Sequence, residues 1–280
     1  MIDYRPISKV NFNSFTAAFN LAYSDYFVPI SMTSPAFQSL IERDSIDLDC
    51  SVAAVENDQI IGTGLLGIRD HYGWIGGMGV VPSRRHQGIG RQMMLHLLTC
   101  GRERGLQRID LEVIEANHAA YSLYKQLGFV DHRYLIALES DQTNPIPLDP
   151  RFQIVSDSAA SLLAHYPLFH DQPNCWQRSL PALQVLAPQM DAYAALENGE
   201  VVGYGAGWMN DSSIRLLDIA THPAHDRGPI AASILAFLHH EFPAAHGNAV
   251  NISAGDPALA AFESLGYKTF LRQIEMQFYL

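Results

Sequence analysis

The sequence predicts an α/β protein of the α+β kind: a mixed sheet flanked by helices, present twice in tandem. Three observations predict it. Between residues 50 and 139 strand-like runs give way to helical spacing and then return to strand. The same order of elements recurs about 140 positions later. A proline-bearing stretch without periodicity separates the two copies. A duplication of such long period means two similar domains, because solenoid units are far shorter.

The elements follow in order. "NSFTAAFNLAYSDYF" (13–27) has helical spacing and an aromatic tail. "SVAAVEN" (51–57), "QIIGTGLLGI" (59–68) and "GWIGGMGVV" (73–81) read as strands joined by the turn-like "ENDQ" and "RDHYG", hence an antiparallel meander. A helix from about 88 to 103 puts Ile89, Met93, Leu97 and Leu98 on one face, with Gly105 as its stop. "RIDLEVI" (108–114) is a strand. "NHAAYSLYKQLGF" (117–129) is a helix with Asn117 as N-cap and Gly128 as stop. "RYLIALE" (133–139) is the last strand of the first copy. Residues 140–152 read as a linker, so the expected domains are 1–139 and 153–280.

The echoes in the second copy are specific. "VVGYGAGW" (201–208) matches "IIGTGLLG" (60–67), and "ATHPAHDRGPIAASILAFL" (220–238) matches "GVVPSRRHQGIGRQMMLHL" (79–97), both at an offset of 141. "DPALAAFESLGY" (256–267) matches "HAAYSLYKQLGF" (118–129) at 138.

Composition bounds the function. With 280 residues, 48% hydrophobic and 17% charged, the chain can bury a full core. It has no apolar run near the roughly 18 residues of a membrane span, and no signal-peptide pattern at its start. Cys50, Cys100 and Cys175 are far apart and odd in number, which predicts no disulfide framework and favours a reducing cytoplasm. The histidines are too scattered for a zinc motif, so no metal is expected. A net charge of −11 argues against general affinity for nucleic acid or an anionic membrane. Against that background the cluster Arg84, Arg85, His86 and Arg91 marks where an anion would bind.

That cluster belongs to "VVPSRRHQGIGRQMM" (80–94), where a strand ends at Pro82 and a helix begins after two glycines. Small residues at such a turn expose backbone N–H groups at a helix N-terminus, for which phosphate is the natural guest. The stretch is not a nucleotide P-loop, since GxxxxGK[ST] is missing. It also lacks the third glycine of a Rossmann turn, and its strand closes a meander.

Arg85-x-x-Gly88-x-Gly90 is the pattern that fits. With "LEV", Asn117, Tyr124 and "LGF" following in order, residues 1–139 resemble the GCN5-related N-acetyltransferase (GNAT) family. The resemblance implies an acetyl-CoA site. Backbone from Arg85, His86, Gln87, Gly88, Ile89, Gly90 and Arg91 would cradle the pyrophosphate, with Arg84 or Arg85 adding charge. Met78 and Val80 would pair with the pantetheine arm beside a glycine-rich bulge, with an N–H near Val80 facing the thioester oxygen. Tyr124 would be the general acid, or simply a half-buried helix residue. Asn117 would bond the pantetheine, or simply cap its helix. Glu112 is the candidate base, with Glu115, Asp70 and His71 in reserve; a solvated strand residue is the plainer reading. The aromatic tail 21–27 and Trp74 would border the acceptor.

Five of these positions change in the second copy: Gly88 becomes Pro229, Arg85 becomes Asp226, Tyr124 becomes Phe262, Asn117 becomes Gly255 and Glu112 becomes Val250. The second domain is therefore expected to keep the fold without the cofactor site, closing the acceptor pocket or forming a homodimer surface. The resulting expectation is an acetyl-CoA-dependent N-acetyltransferase acting on a small-molecule amine. The alternatives are a non-catalytic CoA sensor and a transferase for a longer acyl group.

Overall fold

A computed structural model describes residues 1–280 except Gln142, Thr143, Pro145 and Ala244. Part of the expected linker therefore lies outside the described residues. The chain forms two compact units, Met1–His132 with Ile274–Leu280, and Arg133–Gln273.

The strands of the first half are β1 (Asp3–Pro6), β2 (Val52–Glu56), β3 (Gln59–Arg69), β4 (Tyr72–Val80), β5 (Arg108–Ile114) and β6 (Val130–Ser140). Those of the second are β7 (Gln153–Ser156), β8 (Asp191–Glu197), β9 (Glu200–Asn210), β10 (Ser213–Thr221), β11 (His246–Ser253) and β12 (Lys268–Tyr279). The main helices of the first half are α1 (Phe12–Ala22), α2 (Ser34–Arg43), α3 (Ile89–Glu103) and α4 (His118–Leu127). The second half has α5 (Ala159–Leu162), α6 (Tyr166–Phe169), α7 (Leu180–Leu186), α8 (Arg227–Glu241) and α9 (Leu259–Ser264).

In unit 1 the sheet order is β1-β2-β3-β4-β5 followed by the end of β12. The expected meander is present, since β2–β3 and β3–β4 are both antiparallel. On one face α3 buries Ile89, Met93, Met94, Leu97 and Leu98, each no more than 2% exposed. Burial of each such side chain stabilises by roughly 1.5–3 kcal/mol, which is why this face of the helix is uniformly apolar. On the other face α1 ends at Ala22, so the aromatic tail leaves the helix five residues before the sequence pattern suggested. The sequence reading also missed α2. Its signal was there: Thr33 accepts a hydrogen bond from Ala36 N–H, and Pro35 sits in the first turn.

Unit 2 repeats the plan in the order β6-β11-β10-β9-β8-β7. Strand β6 runs antiparallel to β11, pairing Ser140 with Gly247 and Leu135 with Ser253. This corrects the expected boundary at 139. Each unit takes its last strand from the other half of the sequence, and residues 133–139 alternate in a way that suits either sheet.

The cysteine expectation is also corrected. Cys50 and Cys100 form a disulfide, with Cα atoms 5.5 Å apart. Fifty residues separate them in sequence, but both belong to the core cluster that joins β2 to α3. Pairing was decided by packing, which spacing alone does not report. Disulfides belong to oxidising compartments as a rule, so the cysteines give no support to a reducing one. Among the described residues no helix is long and apolar enough to cross a membrane.

Candidate active site

The site begins where β4 and β5 part. These parallel strands pair at Tyr72–Arg108, Gly73–Ile109 and Trp74–Asp110, and no further. Beyond Trp74, β4 bulges. The register with β3 jumps from Thr63–Gly79 to Leu65–Gly76, and Gly77 takes φ +59°. An added Cβ on Gly77 would lie 2.7 Å from the Leu65 side chain, so only glycine fits this bend. The Val81 N–H bonds back to Ile61 on β3. By alternation the Val80 N–H points the other way, into the fork.

Next comes the loop into α3. His86 and Gly88 both adopt positive φ, +61° and +78°. Gly88 is the N-cap of α3, and no side chain caps the helix. The N–H groups of its first turn, Ile89, Gly90 and Arg91, thus lack the usual internal partners. Space in front of Gly88 is open, with no atom within 4 Å of a built Cβ. A 15-residue helix adds its dipole to this opening. An anion such as pyrophosphate fits here.

These parts line one cleft of about 510 Å³. Of the residues expected to hold the cofactor, Met78, Val80, Arg85, His86, Gly88, Ile89, Gly90, Arg91, Asn117 and Tyr124 all line it; Gln87 does not. The aromatic tail supplies Tyr23, Tyr26 and Phe27, placing it on the cofactor wall. Two expectations need adjusting. Arg85 does not extend freely toward the cradle. Its guanidinium makes a two-pronged pair with Asp25 at 2.7 and 2.8 Å, and bonds the Ala22 and Val80 carbonyls. It braces the end of α1 against the loop. Arg84 pairs with Glu56. His86 and Arg91 are the basic side chains left exposed on the cleft. The Met78 carbonyl accepts a bond from the Tyr23 hydroxyl at 3.2 Å, so it is already engaged.

Tyr124 is 7% exposed. Burial, and then the neighbouring Tyr26, push its hydroxyl well above the ordinary tyrosine value, so it stays protonated and able to donate. Asn117 caps α4 by accepting from Ala120 N–H at 3.2 Å, and it lines the cleft as well. The helix cap is therefore present, at a position on the cleft wall.

Glu112 lies outside the cleft lining, two residues beyond the last β4–β5 pair. Its Oε2 accepts a bond from Trp74 Nε1 at 2.7 Å. Its Oε1 is buried and has no hydrogen-bond partner among the described residues. Burial first, and then Glu275, push its carboxyl up to about 8. It is not a solvated strand residue. Raised this far, the carboxyl holds its proton at neutral pH and becomes a proton acceptor as pH approaches 8.

Unit 2 offers the contrast. There β10 and β11 also part, after Leu216–Ala249. The gap is filled by Arg178, 3% exposed, which donates to the Leu217 carbonyl at 2.6 Å, the Asn251 carbonyl at 3.2 Å and Asp218 at 3.3 Å. Asp218 is fully buried and also bonded by Tyr204, His170 and Asn174. Helix α8 starts at Arg227, with Pro229 in its first turn, where unit 1 has its open loop. The cavity at this end is only about 190 Å³. The sequence reading missed the Arg178–Asp218 pair. A carboxylate inside the apolar run "RLLDIAT" was the signal that could have found it.

The comparisons agree with this geometry. The acetyltransferase (GNAT) family model matches residues 15–129, and an acetyltransferase (GNAT) domain model matches residues 165–278. The chain belongs to the GNAT acetyltransferase family, with two such domains in tandem. It is similar to the mycothiol acetyltransferase of Thermobispora bispora, 48% identical over 52 residues, 19% of this chain and 18% of that one. Matches to curated relatives span about a fifth to a third of those proteins' lengths. Among solved structures, a tandem GNAT protein from the clavulanic acid biosynthesis pathway aligns with TM-score 0.69 at 14% identity, over 100% of this chain and 98% of that one. A GCN5-related N-acetyltransferase from Sphaerobacter thermophilus aligns with TM-score 0.73 at 13% identity, over 99% and 95%. At such identities the likeness concerns the fold.

Proposed function

We propose that unit 1 transfers the acetyl group of acetyl-CoA to an amine of a small molecule by direct attack, and that unit 2 binds no acetyl-CoA. The observation that carries this reading is the cleft itself. It joins an uncapped, glycine-opened helix N-terminus to the bulged end of β4 and a protonated tyrosine. When bound, acetyl-CoA supplies an acyl group activated as a thioester. The first turn of α3 holds the pyrophosphate. The Val80 N–H faces the thioester oxygen and stabilises charge that builds there. The Tyr124 hydroxyl gives a proton to the departing thiolate, and Glu112 takes one from the amine through water. The acidic chain favours a cationic or neutral acceptor over an anionic one.

Calorimetric titration with acetyl-CoA tests the reading. One site per chain is expected, lost in Gly88→Pro while thermal melting shows the variant still folded. Two sites would overturn the assignment to unit 1 alone, and no binding would overturn the transferase reading.

A further inference from the structure

The chain's last strand brings more than apolar residues to unit 1. Along β12, Ile274 and Met276 belong to the core cluster that contains Leu111 and Val113 of β5. Alternation then puts Glu275 on the opposite face of the sheet, the face that carries Glu112. Strand β12 is the neighbour of β5. Glu275 is only 3% exposed, so its carboxyl is held away from water on that face. We propose that Glu275 is a positioning residue of the unit 1 site, acting through Glu112 as the second member of a buried carboxyl pair. This rests on the reading of Glu112 as the base.

The surroundings of Glu112 leave Glu275 in a distinct position. From β4, Trp74 donates its indole N–H. From β5, Asp110 is paired with Arg108 at 2.8 Å, and at the end of α2 Asp44 is paired with Arg43. Those two acids are countered by their own arginines, and they act on Glu112 less than Glu275 does. Two carboxyls that share a buried site cannot both ionise cheaply. Burial first, and then Glu275, therefore keep a proton on Glu112 near neutrality, and it gives up that proton at the pH where an amine acceptor begins to be uncharged. The half of the chain that has lost its own cofactor fork thereby contributes to the chemistry of the half that kept one.

NMR of the full-length chain with 13C-labelled glutamate carboxyls tests this. In the unaltered protein one carboxyl is expected to titrate near 8 and its signal to disappear in Glu112→Gln. Glu275→Gln keeps shape and hydrogen bonding but removes the charge. The Glu112 titration is expected to fall toward the ordinary glutamate range, and the acid limb of the rate profile to fall with it. Glu275→Asp keeps the charge and is expected to leave the titration high. Should Glu275→Gln not fold, Glu275→Met gives the same test with an apolar side chain of similar length. An unmoved Glu112 titration in a folded Glu275→Gln or Glu275→Met overturns the proposal and leaves Glu112 as the base. Failure to bind acetyl-CoA overturns the functional reading without touching the titration.

Discussion

Tyr124 and Glu112 sit at the two ends of the proposed proton path, and burial favours the protonated form of both. For Tyr124 it secures the protonated form. Tyr124→Phe keeps the ring against Phe129 and removes only the hydroxyl. Its kcat is expected to fall by about 10²-fold or more, with acetyl-CoA affinity by calorimetry unchanged. For Glu112, burial raises the carboxyl from 4.5 to about 8. The folded state then holds a proton that the unfolded chain releases between those values. Stability from this group is present below that window and declines as pH rises through it. Glu112→Gln removes the decline. Its melting temperature is expected to exceed that of the parent at pH 8.5 by about 10 °C, and to match it near pH 4, while activity is lost. A variant that melts with the same pH dependence as the parent would contradict the raised carboxyl. Glu112 was legible in sequence as an isolated carboxylate on a strand. Its partners Trp74 and Glu275, 38 and 163 positions away, were not, because only the sheet brings them together.

At the level of elements, α3 carries both the proposed anion cradle and the disulfide. Its N-terminus opens on the cleft, and Cys100 in its last turn is tied to Cys50 at the start of β2. Closing a loop of this length restricts the unfolded chain, and such a cross-link stabilises by about 2–4 kcal/mol. Thiol reductant is expected to lower the melting temperature of the parent and to leave Cys100→Ser, already lower, unmoved. An equal response of both would show that the bond does not form in solution. The glycine-opened turn was read from Arg85-x-x-Gly88-x-Gly90 because its requirement is local: a backbone at φ +78° that glycine adopts without strain. The duty of Arg85 was misjudged for the converse reason. Its partner Asp25 lies 60 positions earlier, and sequence gives no reach across that distance.

For the molecule as a whole, duplication has produced one open fork and one filled by Arg178, and two units that exchange their last strands. A chain ending at Ser140 would lack Ile274 and Met276 of the unit 1 core, and Phe278 and Leu280 packed against it. It is expected to be insoluble or to melt without cooperativity. Residues 1–132 joined to 274–280 by a short Gly/Ser linker are expected to recover a cooperative transition by calorimetry. Soluble, cooperatively folded 1–140 would refute the strand exchange. By itself the sequence determined the two tandem copies, the meander, the glycine-opened start of α3 in the first copy and the Pro229 that stands there in the second. Each depends on period, turn chemistry or a residue's own backbone freedom, and these are properties of short stretches. Tertiary structure alone decided which sheet accepts residues 133–139 and 274–280, which cysteines meet, what Arg85 and Arg178 hold, and how strongly Glu112 keeps its proton. Those outcomes depend on which distant side chains are excluded from water together, and a linear order of residues does not specify that.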